Sequence, residues 1–386
     1  MKISYIANVR MPTEKAHGHQ IVKMCELFAS NGSTVELVLP DRVNQLNQLD
    51  VFDYYKVKRN FIIKKLKVFD PVFLMRAPAG WYIRFQSLFF VISLFFYLLF
   101  IKNRRQIIFY TRDEYLLPIL NIFSANIIWE GHALPDSRRR YVKYFNRIRA
   151  VVILTGEMKK RLIQDGVDEA KIMVSPDAVD LDIFGIEISM EMARKELSLP
   201  SDKIILGYTG SFKTKGMDKG ISDIIKAVAL LEKDWPKILF VAVGGNQADI
   251  DYYHRLAVND GVEQHIMLLG KVSQEKLAVY QQAFDVLLMP FPFTEHYAYF
   301  MSPLKMFEYL AAKRPIIASD LPTIREILDE DSAVFCRPDD PADLAEKIKL
   351  ILTDKDLAAA ISQGAYQKSG QYTWDGRARS IMDFMK

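Results

Sequence analysis

The chain has 386 residues, enough for two domains that each bury a core of their own. Its 51 basic and 47 acidic residues nearly balance, which argues against a dedicated nucleic-acid-binding protein, since such proteins carry a strong positive excess. The six histidines lack metal-ligand spacing, and the two cysteines, Cys25 and Cys336, argue against a disulfide framework and suit a reducing compartment.

Strand-like and helix-like segments alternate along the whole chain, which predicts parallel α/β sheets. Met1 runs directly into a first strand over residues 3–9, so no secretory signal is expected before it. A loop over 10–19 then leads to a helix over 20–31 and a second strand over 34–39. Gly18 in this loop would let the backbone approach a ligand closely, with a plain turn as the alternative.

A basic segment and an apolar run follow. Residues 56–67 carry six lysine and arginine side chains, and residues 88–101 are almost all apolar, followed by Lys102, Arg104 and Arg105. Fourteen residues fall short of the roughly 20 that span a bilayer. We rank a buried helix first, a helix lying in a membrane surface second and a membrane span third. The basic flanks favour contact with anionic lipid.

Three more strands are predicted over 107–110, 127–129 and 151–154. His132 follows the second of them, at the strand end where open α/β sheets bind ligands, although a lone histidine is more often structural. Arg112 follows the first and is a weaker candidate. Asp180 and Asp182 match a DxD metal motif, but we interpret them as a linker turn.

The second half opens with a strand over 204–209, a glycine- and lysine-rich loop, and a helix over 221–231. The loop holds Gly210, Lys213, Lys215 and Lys219, which could bind phosphate or could simply be solvated. Further strands are predicted over 238–243, 266–272 and 286–289.

A helix near residue 304 carries the strongest functional signal. Ser302 can cap it, Pro303 can take its first position ahead of Leu304, and Pro315 ends it before a strand over 316–318. Its first turn holds Lys305 where an acid is usual, so the open N–H groups could receive an external phosphate. Glu308, one turn later, could accept two hydrogen bonds from a ribose diol. The alternative is an amphipathic helix with solvated charges.

The segment Ser302 to Ala311, reading SPLKMFEYLA, with Pro-Ile-Ile-Ala-Ser over 315–319, resembles the donor-site signature of retaining glycosyltransferases of family 4 (glycosyl transferases group 1), in its SPLK-FEYMA branch. The resemblance implies the GT-B fold: two Rossmann-like α/β domains facing across a cleft, with a C-terminal helix crossing back. We place an acceptor domain at 1–181 with the crossing helix 372–386, and a nucleotide-sugar donor domain at 182–371.

The resemblance also implies residue roles. Glu308 contacts the ribose. Lys219, or Lys215 in another register, grips the diphosphate, and His132 faces the active cleft. Donor contacts extend to the following residues: Gly18, Gly210, Lys213, Gly270, Lys271, Ser302, Pro303, Leu304 and Lys305. Two family positions differ: Phe300 replaces a sugar-binding glutamate and Ser211 replaces a phosphate-binding arginine. Glu295 or His296 could supply the first contact, and Lys213 or Lys215 the second.

The implied activity is transfer of a sugar, with retention, from a nucleotide-sugar donor to a saccharide or lipid-linked saccharide in envelope or capsule glycan synthesis. His132, Lys219 and Glu308 are the candidate catalytic residues, and no metal or other cofactor is expected. We expect a cytoplasmic enzyme, peripheral on the inner face of the plasma membrane, that binds anionic lipid and no nucleic acid. A GT-B epimerase or hydrolase would consume donor without acceptor, and a non-catalytic sugar-nucleotide-binding protein would bind donor without turnover.

Overall fold

The computed structural model describes residues 1–72, 81–214 and 216–386, and the chain divides into two compact units. Unit 1 comprises Met1–Ser175 and Trp374–Lys386, and unit 2 comprises Pro176–Thr373. This boundary precedes the one expected at 181/182. Residues 176–181 pack with unit 2 because the Asp177 N–H donates to the Ser302 hydroxyl (2.9 Å) and Val179 pairs with Thr373.

Unit 1 is built on a seven-stranded parallel sheet with the order β3-β2-β1-β4-β5-β6-β7. Its strands are β1 (Lys2–Ile6), β2 (Thr34–Asp41), β3 (Ile62–Lys67), β4 (Ile107–Thr111), β5 (Ile127–Gly131), β6 (Ala150–Ile153) and β7 (Ile172–Val174). Its first helices are α1 (Ala16–Ser30), α2 (Val51–Tyr55), α3 (Trp81–Phe100), α4 (Leu117–Phe123), α5 (Val142–Phe145) and α6 (Gly156–Gln164).

Unit 2 has a six-stranded parallel sheet with the order β12-β11-β8-β13-β14-β15, and a small antiparallel hairpin of β9 and β10. The strands are β8 (Ile204–Thr209), β9 (Lys213–Thr214), β10 (Met217–Asp218), β11 (Ile238–Gly245), β12 (Ile266–Gly270), β13 (Val286–Met289), β14 (Ile316–Ser319) and β15 (Val334–Cys336). The helices are α7 (Leu181–Phe184), α8 (Met190–Leu197), α9 (Ile221–Leu231), α10 (Gln247–Asn259), α11 (Gln274–Ala283), α12 (Glu295–Tyr299), α13 (Leu304–Ala311), α14 (Pro322–Arg325), α15 (Pro341–Thr353) and α16 (Lys355–Ser369).

The central strands of both sheets are covered on both faces, which explains why these strands read as continuous apolar runs rather than alternating ones. All eight residues of β11 and all four of β13 are buried. The predicted bounds of β8, α9 and β13 are confirmed. The predicted α/β class is also confirmed, and each unit is a Rossmann-like doubly wound sheet.

The last helix, α17 (Trp374–Phe384), belongs to unit 1, as expected for a crossing helix. Its Arg377 guanidinium is buried and donates to Glu130 on β5 (2.8 Å) and to the carbonyl oxygen of Ser175 (3.2 Å). Its Asp375 accepts from the Asn31 side chain at the end of α1 (2.8 Å). Polar contacts of buried groups therefore fix α17 to the first sheet.

Two helix predictions in unit 1 were wrong. The segment over 10–19 is not all loop, because α1 begins at Ala16 and Gly18 lies in its first turn. The apolar run is not a buried helix: α3 is 20 residues long, and only Phe90, Leu94 and Leu98 on one face of it are buried. The opposite face is solvent-exposed, with Phe96 at 55% and Phe100 at 82% exposure.

Candidate functional site

The donor-site candidates lie at the switch point of the unit 2 sheet. Strands β11 and β12 lie on one side of β8, and strands β13, β14 and β15 lie on the other side. The segments that follow the neighbouring strands β8 and β13 therefore lead to opposite sides of the sheet. Open α/β sheets bind ligands outside the carboxyl ends of the strands at this point. Gly210 and Ser211 follow β8 there, and Gly220 precedes α9.

Lys305, in the first turn of α13, is a buried cation at this switch point. It is 6% exposed, and its Nζ lies 3.2 Å from the centre of the Tyr208 ring. No hydrogen-bond partner for this Nζ exists among the described residues. Burial, and after it the positive charge of Lys219, holds the pKa of Lys305 well below the usual lysine value. A buried ammonium without an acceptor is costly, so this position suits an anionic ligand.

Gly210 lets the loop after β8 pass next to Lys305. Its φ of +107° is a conformation that side chains rarely adopt, and a Cβ there would lie 3.5 Å from the Lys305 Cε. The lysine is thus held between the Gly210 backbone and the Tyr208 ring.

The N-terminus of α13 has no side-chain cap, whereas the sequence predicted Ser302 as its cap. Ser302 is not the N-cap and Pro303 is not the first helical residue: Pro303 itself stands at the N-cap position ahead of Leu304, with no side-chain cap. Ser302 is engaged elsewhere, because its hydroxyl accepts from the Asp177 N–H. The first turn contains no acid, so its N–H groups and the helix dipole can receive an anion beside Lys305.

Glu308 lies one turn further along α13 and is 9% exposed. Burial raises its pKa to about 7, and the hydrogen bond from Gln281 Nε2 (3.3 Å) opposes this only in part. Gln281 also donates to the Thr209 hydroxyl (3.1 Å), which ties the glutamate to the end of β8. The carboxylate is therefore positioned by a side chain that sequence reasoning did not identify.

Lys219 is the second cation of the group. Its Nζ donates to the Ser211 hydroxyl (2.9 Å), so the serine at the family's arginine position is its partner. Burial lowers the pKa of Lys219 to about 8. The neighbouring Gly220 has φ +93°, and a Cβ there would overlap the Pro290 carbonyl, so the tight turn requires glycine.

Asp218 occupies the N-terminus of α9. It accepts hydrogen bonds from the N–H groups of Gly220 (2.8 Å) and Ile221 (2.9 Å), which would otherwise be open to a phosphate. Of the two helix starts at this switch point, α13 is therefore the better anion site.

The remaining candidates of unit 2 are more peripheral. The Lys213 Nζ lies 3.8 Å from the centre of the Tyr252 ring and 3.7 Å from the Asp249 carboxylate. Its positive charge is therefore already paired with side chains of α10. Lys215 lies outside the described residues. Gly270 and Lys271 are exposed at the end of β12, the edge strand.

The segment before α13 holds the candidate sugar contacts. Glu295 begins α12 in an exposed position, and the half-buried His296 packs on Tyr297 (5.4 Å between ring centres). Phe300 follows α12, so a side chain that cannot bond a sugar hydroxyl stands at the family's glutamate position.

In unit 1, His132 follows β5 and its Nε2 lies 2.8 Å from the Glu130 carboxylate. Glu130 is fully buried, and it also accepts from Arg112 (3.0 Å), Arg377 (2.8 Å) and the Tyr110 hydroxyl (2.6 Å). Burial alone would raise its pKa, but the two guanidinium groups hold it well below the usual range. His132 is thus oriented by an ionised carboxylate.

Gly18 has a packing role that its predicted loop position did not suggest. A Cβ there would overlap the hydroxyl of Tyr55 and the methyl group of Thr13. The Tyr55 hydroxyl bonds the backbone N–H and carbonyl of Thr13 (2.8 and 2.9 Å), so glycine is needed for this close approach. Whether a donor also approaches Gly18 stays a prediction.

Across the described ranges, with their gaps at 73–80 and 215, no three His, Cys, Asp or Glu side chains gather as a metal site would require. The expectation of metal-independent chemistry stays a prediction.

Sequence reasoning missed Gln281, Tyr208 and Asp218. Tyr208 could have been found, since it is the next-to-last residue of a predicted strand, at the strand end where open α/β sheets bind ligands. Asp218 could also have been found, since an acidic side chain just before a predicted helix start can accept from the helix's first N–H groups. Gln281 could not have been found from the sequence, because only tertiary packing brings α11 against α13.

Residues 189–368 match the family model "Glycosyl transferases group 1". A D-inositol 3-phosphate glycosyltransferase of Stackebrandtia nassauensis is 27% identical over 56% of this chain, and the aligned part spans 48% of that protein. The chain therefore spans about half the length of this relative.

Solved structures extend the likeness to nearly the whole chain. A sucrose-phosphate synthase of Thermosynechococcus elongatus matches 99% of this chain and 97% of its own, with TM-score 0.76 and 18% identity. The Anabaena protein HepE in complex with UDP matches 99% of both chains, with TM-score 0.74 and 14% identity. HepE has also been solved with UDP-glucose. At these identities the likeness shows the fold, which is that of GT-B glycosyltransferases.

Proposed function

We propose that the protein transfers a sugar from a nucleotide-sugar donor bound in unit 2, where residues 189–368 match the family model "Glycosyl transferases group 1". The observation that carries the proposal is the buried, unpartnered ammonium of Lys305 at the uncapped start of α13, with Glu308 one turn behind it. A diphosphate supplies the missing acceptor, and the ribose next to it supplies hydroxyl groups to Glu308.

Charge on the leaving group sets the chemical requirement. As the glycosidic bond breaks, negative charge grows on the diphosphate oxygen, and preorganised positive groups stabilise it. Lys305, Lys219 and the N–H groups of α13 fill this role. We further propose retention at the anomeric carbon, with the leaving phosphate accepting the proton of the attacking hydroxyl. Glu295 and His296 are the proposed sugar contacts in place of the family glutamate.

The activity is tested by incubating the full chain with UDP-glucose and other nucleotide sugars, with and without saccharide acceptors. We expect donor consumption that depends on the acceptor, and a product whose anomeric configuration, read by NMR, equals that of the donor. Consumption without acceptor would instead identify a hydrolase or epimerase. Donor binding without any turnover would identify a sugar-nucleotide-binding protein.

The pH dependence of donor binding gives a specific prediction. The ionised form of Glu308 accepts both ribose hydrogen bonds, so affinity for UDP-glucose rises as pH increases through about 7. Lys219 loses its charge as pH increases through about 8, so affinity falls again. Calorimetric titration should therefore find the tightest binding between these values. The diphosphate diester of UDP-glucose does not titrate in this range.

Matched variants separate the two limbs of this profile. Glu308→Gln should flatten the acid limb and weaken binding roughly 10- to 100-fold, since a hydrogen bond to a charged group contributes about 1.5–3 kcal/mol. Lys219→Met should reduce the alkaline limb, and the part that remains would come from Lys305, whose pKa is also lowered by burial. Glu346→Gln, an exposed change on α15, should leave the profile intact. A wild-type profile that is flat from pH 6 to 9 would remove both residues from the donor site.

We also propose that the protein works on an anionic membrane surface, through the exposed apolar face of α3, and that its acceptor is a lipid-linked saccharide. Of the described chain, only α3 is long and apolar enough to cross a bilayer, by length and composition. Its other face is fastened to unit 1: the Tyr97 hydroxyl bonds Glu36 (2.5 Å) and the Ser93 hydroxyl bonds the Lys67 carbonyl (2.8 Å). A helix held in this way favours lying in the interface over spanning it.

Charge beside α3 suits anionic lipid. Lys64 on β3 lies over the Tyr97 ring (4.6 Å), and Arg104 beyond the helix stacks on Phe123 (5.2 Å). Each basic residue near an anionic leaflet contributes about 1 kcal/mol. We propose an inner-leaflet location in envelope or capsule glycan synthesis.

Liposome co-sedimentation tests the membrane proposal. The chain should bind anionic vesicles at low salt and be released at high salt. The triple variant Ile92→Ser, Phe96→Ser, Phe100→Ser should bind about 100-fold more weakly, taking about 1 kcal/mol for each exposed side chain. Ile163→Ser on α6 is the control, an exposed apolar residue of the same unit. Absence of binding to anionic vesicles would end the proposal, and binding that resists alkaline wash would indicate insertion across the bilayer.

A further inference from the structure

A cavity of unit 2 lies at the end of α13 that is remote from the candidate donor site. Helix α13 ends at Ala311, and Lys313 and Arg314 follow it shortly before β14. These two cations line a cavity of about 400 Å³ at the amino ends of β13 and β14. Because the donor-site candidates lie at the carboxyl edge of the same parallel sheet, this cavity is a separate site. Its wall also includes Ile186, Glu187, Ile188 and Gln282.

The half-buried Arg314 guanidinium is only partly satisfied. Its Nη2 donates to the Gln282 carbonyl oxygen (2.8 Å), but its buried Nε has no acceptor within the described ranges. The nearby Asp285 carboxylate already accepts from Arg194 (2.6 Å). Burial lowers the pKa of Arg314, so the cost of burying its charge is not fully compensated. Buried polar groups nearly always have a partner, which indicates that water or a ligand supplies this acceptor.

Lys313 adds a second cation, and its present partner is weak. Its backbone has φ +52°, a conformation that favours glycine, and its Nζ lies 3.1 Å from the Glu187 carboxylate. The Glu187 side chain is 83% exposed, and ion pairs of such exposed groups contribute little to stability. An anion in the cavity can therefore replace Glu187 as the partner of Lys313.

The chemistry of the wall selects the class of ligand. A guanidinium and an ammonium side by side suit a phosphate monoester, which carries roughly 1.5 to 2 negative charges at neutral pH and accepts several hydrogen bonds. Ile186 and Ile188 add apolar surface to the same wall. The cavity is larger than a bare phosphate ion, so it suits a monoester with a small organic body.

Two connections link this cavity to the donor-site candidates. The first is α13 itself, a helix of eight residues and about 12 Å that carries Lys305 and Glu308. The second is the last turn of α11, where Arg314 bonds the Gln282 carbonyl and the preceding, fully buried Gln281 donates to Glu308 (3.3 Å). An anion that fixes the Arg314 guanidinium therefore also fixes the turn that positions Glu308.

We propose that Lys313 and Arg314 form an effector site for a small phosphate monoester, and that its occupation strengthens the binding of nucleotide sugar. This inference rests on the proposed donor site and adds a means of regulating it. By thermodynamic linkage, the nucleotide must strengthen the binding of the effector by the same factor.

The test is calorimetric titration of the full chain with phenyl phosphate, glycerol 3-phosphate and inorganic phosphate at constant ionic strength. UDP is held at saturation, so that phosphate binding beside Lys305 does not contribute. We expect at least one monoester to bind with 1:1 stoichiometry and more tightly than inorganic phosphate. In the reverse titration, the monoester should raise the affinity for UDP about fivefold, whereas competition beside Lys305 would lower it.

Two variants change the cavity in opposite directions. Lys313→Gly should weaken monoester binding about tenfold, and it should fold because the left-handed backbone at this position favours glycine. Glu187→Gln removes the competing carboxylate and should strengthen monoester binding roughly threefold. Lys233→Ala, at an exposed lysine beyond α9, is the control with the same change of charge and should leave binding unchanged.

Absence of monoester binding to the UDP-saturated chain would overturn the site, as would equal binding by Lys313→Gly and Lys233→Ala. A UDP affinity that the monoester lowers or leaves unchanged would overturn the regulation. Failure of UDP itself to bind would count against the proposed function instead. The cavity is then titrated in Lys305→Met, which lacks the donor-site ammonium, so the two failures can be told apart.

Discussion

Lys305→Met should make the protein more stable and nearly inactive. The methionine keeps the shape of the chain between Gly210 and the Tyr208 ring while it removes an ammonium that is 6% exposed and has no described acceptor. Relief of this desolvation cost should raise the free energy of unfolding by about 1–3 kcal/mol. Loss of a preorganised positive group at the leaving oxygen should lower kcat about 100- to 1000-fold.

The two measurements are urea unfolding and initial rates with a saturating nucleotide sugar. Lys276→Met, an exposed lysine on α11, is the control and should change neither. Wild-type turnover in Lys305→Met would exclude this lysine as a phosphate ligand. A loss of stability would show that the ammonium has an acceptor in the folded chain, against the argument from burial.

Glu130→Gln should destabilise unit 1 by about 3–5 kcal/mol, the usual result of removing one partner from a buried ionic cluster. The change leaves the guanidinium of Arg377, whose side chain is 3% exposed, facing a neutral amide, and weakens the attachment of α17. Because the pKa of Glu130 is depressed, its contribution to stability is present above the unfolded pKa and is lost as pH falls through the folded value.

Urea unfolding followed by tryptophan fluorescence measures this effect, since Trp81, Trp129 and Trp374 all belong to unit 1. Asp320→Asn breaks the exposed ion pair with Arg325 and serves as the control, with an expected cost under about 1 kcal/mol. A change of less than about 1 kcal/mol in Glu130→Gln would contradict the view that this cluster holds α17. If Glu130→Gln lost the turnover that depends on His132 while its free energy of unfolding stayed unchanged, Glu130 would act in catalysis alone.

The fold class and most elements of unit 2 could be predicted from local sequence patterns. The central strands β8 and β13 are buried and are followed by Gly210 and Pro290, and α9 directly follows Gly220, so the apolar pattern and the turn residues predict the same bounds. The sequence also predicted that Lys305 and Glu308 share one helix, because a fixed spacing of three residues is local information.

Which polar groups meet could not be predicted locally, because it depends on how distant segments pack. The start of α13 is an example. Ser302 has the residue type and position of a helix cap, yet its hydroxyl accepts a hydrogen bond from the Asp177 N–H, in a segment 125 residues away. Likewise, the apolar run was ranked as a core helix because hydropathy does not reveal whether a neighbouring element covers a face. Burial of Phe90, Leu94 and Leu98 on one face alone, and the hydrogen bond from Gln281 to Glu308, follow from packing between segments that no local pattern encodes.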